Sequence, residues 1–329
     1  MDSLLFALKA VTPIILMVAI GYFLKRIGLM SMDFSKAANK LVFRVFLPVT
    51  LFLNVYKIEN FGGIDFGYIA YALIAIFALF LLAIPVSILV TRERARRGPL
   101  VQVTFRSNYA LVGLPLAASL FGEEGMLVAT LLSAFSIPLY NVLAVISLSV
   151  FRDGGDKPNV KKILLGIVKN PLILSIAAGL VALAVRALLV KNGISFRLTQ
   201  ITPLYTVMEY LSDMSTPLAL LVLGAQFEFS AIKALRREII VGTLARTVVA
   251  PLLGVGVAYL FFRNTFNGAH FAAFVALFAT PVAVSSLPMA QEMDNDAALA
   301  GQYVVWTTLA SALSIFLCAF LLRLAGIFV

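Results

Sequence analysis

The chain has 329 residues, 61% of them hydrophobic and 13% charged, and its mean hydropathy of +1.01 lies far outside the range of a water-soluble domain. The formal charge of +10 raises nucleic acid as a partner, but the cations are spread over alternating short segments and form no basic domain, which excludes that reading. A lone Cys318 and a lone His270 offer no disulfide, cysteine cage or metal cluster, so neither a metal nor a cofactor is expected.

A membrane-spanning helix needs about 20 mostly apolar residues. In chain order such stretches run at roughly 4–24, 36–56, 67–91, 99–121 and 126–151, then at 170–190, 204–227, 238–262, 269–291 and 298–327. The sequence therefore predicts an all-α integral membrane protein of ten transmembrane helices, with halves 1–151 and 170–329 joined by a short linker at 152–169. The first stretch reads as a retained span: Asp2 leads it, and its cations Lys25 and Arg26 follow the apolar run.

Cations concentrate in alternating loops, and the intervening ones are poorer in them. Lys36 and Lys40 follow the first span, Arg92, Arg94, Arg96 and Arg97 the third, Lys157, Lys161, Lys162 and Lys169 the fifth, and Lys233, Arg236 and Arg237 the seventh. Those loops are expected to be cytoplasmic, with both termini extracytoplasmic, in a cell membrane such as the bacterial inner membrane. The loop with Arg186, Lys191 and Arg197 runs against this pattern. Residues 161–169 read as a short amphipathic helix on the inner surface.

The two halves match weakly but in order. Gly113-Leu114-Pro115-Leu116-Ala117 in the fourth span corresponds to Ser286-Leu287-Pro288-Met289-Ala290 in the ninth, and Leu47-Pro48-Val49-Thr50-Leu51 lies opposite Thr216-Pro217-Leu218-Ala219-Leu220. With five spans per half, the second half enters from the opposite side, so the repeat is inverted, as in many carriers. Proline lacks an N–H and clashes one turn upstream, so Pro115 and Pro288 predict broken fourth and ninth helices. Freed backbone groups cannot face lipid and must line a protein-enclosed cavity. Each proline suits the first turn of a new half-helix whose positive end faces the centre, an anion site.

Polar residues in these apolar runs supply the candidate ligands. Asn108 and Tyr109 precede the first break, Asn141 lies in the fifth span, and Thr280, Ser285 and Ser286 flank the second break. Asp213, one turn after Glu209, is a candidate carrier of a coupling proton or sodium ion. Arg106 and Arg246 lie about two turns inside the inner boundary, where an arginine either snorkels to water or attracts an anion. A membrane enzyme is disfavoured, because no paired acids and no nucleophile with a base are evident.

At Asn39-Lys40-Leu41-Val42-Phe43 leading to Leu47-Pro48, at Asn108 through Pro115, at Asn170-Pro171-Leu172-Ile173 and at Pro217-Leu218-Ala219-Leu220 with Leu223-Gly224, the chain resembles the auxin efflux carrier family. The resemblance covers nearly the whole chain in order. It implies a scaffold of spans one, two, six and seven and a mobile transport domain of spans three to five and eight to ten, built around crossing fourth and ninth helices. It also implies a homodimer and an elevator-type secondary transporter of a small organic anion: a carboxylate, a dicarboxylate or an auxin-like acid. By that resemblance Asn108 and Asn141 contact the carboxylate, and Leu211-Ser212-Asp213 matches a Leu-Ser-Asp run of the plant seventh span. Two departures, the missing long central loop and Ser285-Ser286 in the ninth span, favour a bacterial carboxylate carrier. The alternative is a sodium- or proton-coupled symporter or antiporter of the same crossover fold, which calls for acidic cation ligands; the centres of the broken spans carry no Asp or Glu.

Overall fold

The computed structural model describes residues 2–58, 66–152 and 160–328. Lys157 and the rest of 153–159, the first part of the linker, lie outside the described residues. The described chain is helical, without a strand. In order it forms α1 (Asp2–Arg26), α2 (Met32–Tyr56), α3 (Phe66–Val90), α4 (Arg94–Phe105), α5 (Leu114–Val150), α6 (Val160–Val168) and α7 (Pro171–Lys191). After these come α8 (Thr202–Gln226), α9 (Arg236–Phe262), α10 (Gly268–Phe278), α11 (Ser286–Glu292) and α12 (Ala297–Leu324). Among the described residues, six helical runs are long and apolar enough to cross a membrane.

Local chemistry sets the helix ends. The Ser31 hydroxyl accepts from the Phe34 N–H at 3.1 Å to start α2, and the Asp296 carboxylate accepts from the Leu299 N–H at 2.8 Å to start α12. Asn170 caps α7, and Pro171 occupies its first turn, where a missing N–H costs nothing. Asn267 and His270 cap α10 reciprocally, which gives the lone histidine a structural task. Between α5's two arms the chain turns at Phe121 and Gly122; Gly122 has φ of 60°, a conformation that glycine adopts without a side-chain clash.

Internal prolines are absorbed by wide turns. In α2 a π-type turn at Val42–Phe46 precedes Pro48, and in α9 two such turns, Ala245–Val249 and Leu252–Gly256, flank Pro251. Each lets the helix continue although proline offers no donor.

Two apolar cores result. One gathers α3, α5 and α10, with Ile76, Leu132, Phe271, Phe274 and Phe278 fully buried. The other joins α1, α2, α8 and α12 through Val18, Val42, Leu223 and Val304. α1 and α8 touch at Gly21 and Gly224, where a Cβ on either residue would overlap the other helix's backbone. Outward faces are apolar as well: Leu180, Val181 and Leu188 of α7 and Leu260 and Phe261 of α9 are exposed, as lipid contact requires.

Candidate functional site

α4 stops at Phe105, because Arg106 turns to extended backbone with ψ of 121°. Ser107 and Asn108 also leave the helix, and a wide turn at Tyr109–Gly113 then leads into α5. α10 stops at Phe278, and residues 279–285 stay non-helical until α11 begins. Pro281 is one cause, since the residue before a proline is driven out of the α region. Both breaks therefore lie upstream of Pro115 and Pro288, which sit in the first turns of the helices that follow.

The breaks touch one another. The Asn108 N–H donates to the Pro281 carbonyl at 2.8 Å. Thr280 spends its hydroxyl proton on the Ala276 carbonyl at 2.8 Å, so in the 2.6 Å pair between Ser107 and Thr280 the serine is the donor. The Val282 N–H reaches the Thr307 hydroxyl of α12 at 3.1 Å. One sequence spacing relates Phe105 to Phe278, Ser107 to Thr280 and Pro115 to Pro288.

Two arginines bracket this junction. Arg106 is 3% exposed; its guanidinium donates to the Asn141 Oδ1 at 2.9 Å, the Ser285 hydroxyl at 2.8 Å and the Gln102 Oε1 at 3.4 Å, and lies 2.7 Å from the Met289 sulfur. Every one of these partners is neutral. Arg246, on the first wide turn of α9, bonds among the described residues only to the backbone carbonyls of Thr280 (2.7 Å), Leu277 (2.8 Å) and Phe105 (3.3 Å). Neither guanidinium reaches the surface, so neither snorkels.

A cavity of about 110 Å³ opens beside Arg106. Thr50 and Asn54 of α2 and Ser215 and Thr216 of α8 line it, together with the two breaks and with Tyr140 and Asn141 of α5. Among the described residues its lining holds a single cation, Arg106, and no acidic residue. Two residues of the lining, Asn108 and Tyr140, each carry a buried polar group, the Nδ2 and the hydroxyl, with no hydrogen-bond partner among the described residues. Buried donors are ordinarily paired, so these two are groups that an acceptor could still satisfy.

The sequence candidates divide around this cavity. Asn108, Tyr109, Asn141 and Ser285 line it, as does Arg106. Asn141 does so while accepting from Arg106 and donating to the Ile137 carbonyl at 2.8 Å, which makes it the holder of the guanidinium. The Tyr109 hydroxyl turns away to the Ala129 carbonyl at 3.1 Å. Gly113 lets that ring and α10 pack closely, since a Cβ there would come within 2.9 Å of the Ala276 oxygen. Ser286 and Pro288 are buried in α11 off the wall, and Pro115 is exposed. Asp213 is exposed on α8, outside the lining, with no ion pair among the described residues, while Glu209 pairs with Lys57 at 3.4 Å. Tyr140, Thr50 and Asn54 were not singled out from the sequence; the signal for the last two was available as polar residues one turn apart in an apolar run.

The chain matches the family model described as "Membrane transport protein" over residues 6–154 and 157–319. A protein described as an uncharacterized transporter of Methanothermobacter thermautotrophicus is 22% identical over 334 residues, covering 93% of this chain and 95% of its own length. Another uncharacterized transporter, from Methanocaldococcus jannaschii, is 27% identical over 256 residues, covering 74% of this chain and 76% of its own. With apolar helices of membrane-crossing length and a family match along nearly its whole length, the chain is a multi-pass membrane protein and belongs to the auxin efflux carrier family of membrane transport proteins.

Proposed function

We propose that this protein carries a small organic anion, a mono- or dicarboxylate, and binds it in the cavity between the two helix breaks with Arg106 as counter-charge. The observation that carries this reading is a buried guanidinium whose partners are all neutral, on the wall of a cavity without acidic residues. Burying an isolated charge is costly, and an anion that pairs with it relieves the cost. The planar fork of arginine matches a carboxylate in two parallel hydrogen bonds. Asn108 and Tyr140, which also line the cavity, each keep an orphan donor that a small rearrangement would turn to the remaining oxygens. A cavity of about 110 Å³ is small beside the roughly 300–1,000 Å³ of pockets for drug-sized ligands, which favours compact carboxylates over an indole acid.

In this reading the ten spans form two inverted repeats, 1–151 and 170–329, whose fourth and ninth members cross at the breaks. The shared spacing of helix ends, prolines and the Ser107–Thr280 pair supports it. The mixed lining supports an elevator: α2 and α8 belong to the scaffold, the breaks and α5 to the transport domain, and sliding between them changes the side to which the anion is open. The cation-rich helix ends are cytoplasmic. Arg96 there joins Glu238 and Asp296, each at 3.2 Å, and so ties the starts of α4, α9 and α12 together. Both termini are then extracytoplasmic, and the working unit is a homodimer.

The test is a thermal-shift screen of purified protein against malonate, malate, lactate and indole-3-acetate. A saturable shift with a small carboxylate is expected. Stabilisation by none of them, or equally by inorganic cations, would reject the reading.

A further inference from the structure

Arg246 takes no part in the cavity wall, yet it is the largest fully buried side chain described. Phe105 and Leu277, two of the residues whose carbonyls it binds, lie in the last turns of α4 and α10. Such carbonyls are left unpaired by the helix end and carry the negative end of its dipole. The third carbonyl, of Thr280, belongs to the unwound segment itself. Two helix C-termini converging with an unwound carbonyl form the donor set by which interrupted-helix carriers hold a coupling cation. Here the charge comes from a side chain, delivered by the wide turn at Ala245–Val249. No acidic residue joins it among the described residues.

We propose that Arg246 is a resident cation, standing where a free monovalent cation would otherwise sit, and that it positions the anion site without any ion from solution. It is a positioning residue, because it touches neither the cavity nor the anion. Its bond to the Phe105 carbonyl fixes the residue before Arg106, and its bond to the Thr280 carbonyl fixes the residue whose hydroxyl receives Ser107. Arg106 and Asn108 are thereby held against the second break. A tethered cation cannot dissociate, so the folded site should be complete in the absence of sodium or potassium.

The test compares melting temperature and malonate binding in sodium, potassium and choline chloride. The wild type is expected to behave alike in all three; a sodium-specific gain in either readout would overturn the proposal. Arg246→Ala in choline chloride is expected to melt lower and to bind malonate about a hundredfold more weakly or worse. Part of the loss should return on adding sodium or low guanidinium chloride. A purely structural arginine predicts a loss that no small cation repairs, and that outcome counts against the proposal, as does a folded Arg246→Ala that binds like wild type in choline. Should the alanine variant not fold, Arg246→Lys keeps the charge and should melt alike in all three salts, whereas Arg246→Gln should gain a cation dependence; the same melting in all salts for both variants would reject the idea. The anion arm rests on the proposed function and the melting arm does not. If no form binds malonate while the cation pattern of melting holds, the anion reading fails and this one stands.

Discussion

The two buried arginines on either side of the helix breaks are used in opposite ways. Arg246 is bound to main chain only, to carbonyls that cannot rotate away, and faces no cavity. Arg106 is bound to side chains only, an amide, a hydroxyl, a second amide and a thioether, and lies on a cavity wall. The same residue type in the same junction is locked where its partners are backbone and free to change partners where they are side chains that can rearrange. Burial alone does not separate the two; partner chemistry does.

Removing Arg246 should therefore cost most in stability. Arg246→Ala leaves three buried carbonyls unpaired, at about 1–3 kcal/mol each, and melting of the detergent-solubilised protein should fall more than for any other single change here. Arg106→Gln should invert that pattern. Its fold should persist, since glutamine can still serve Asn141 and Ser285, while affinity for a small carboxylate should fall by about a hundredfold, the worth of about two charge-assisted bonds.

Asn141→Asp sharpens the contrast further. A carboxylate placed 2.9 Å from the Arg106 guanidinium would neutralise it from within. Melting should hold or rise while carboxylate binding is lost; unchanged binding would mean that the anion does not use Arg106. Asn108→Ala is milder. Its Nδ2 has no partner to abandon, so stability should be unaffected, and affinity should drop by about tenfold for one lost hydrogen bond. The smallest effect belongs to Arg44→Gln, which breaks a 3.5 Å pair with Glu292 in which the Arg44 side chain is 61% exposed. Exposed pairs contribute roughly 0–1 kcal/mol, so the melting temperature should barely move.

How far the sequence carries depends on whether a feature is local. Helix positions follow from apolar runs and caps such as Asn170-Pro171, and the bend at Gly122 follows from a glycine among acids. The existence of interruptions followed from Pro115 and Pro288, but their place did not, because Pro281 and the turn of Arg106 act several residues upstream. Arg106 and Arg246 read alike in the sequence, each a cation about two turns inside a span. Only tertiary contacts across some 140 residues distinguish them, such as Arg246 with Phe105. Asn141 was legible as a costly amide in an apolar helix; that it serves Arg106 was not.

The most direct test of Arg106 as the counter-charge is calorimetric titration of malonate into wild type and Arg106→Gln at matched salt, with melting of both proteins recorded. The account predicts saturable binding to the wild type and about a hundredfold weaker binding to a variant that melts at nearly the same temperature. A folded Arg106→Gln that binds malonate as tightly as the wild type would contradict it.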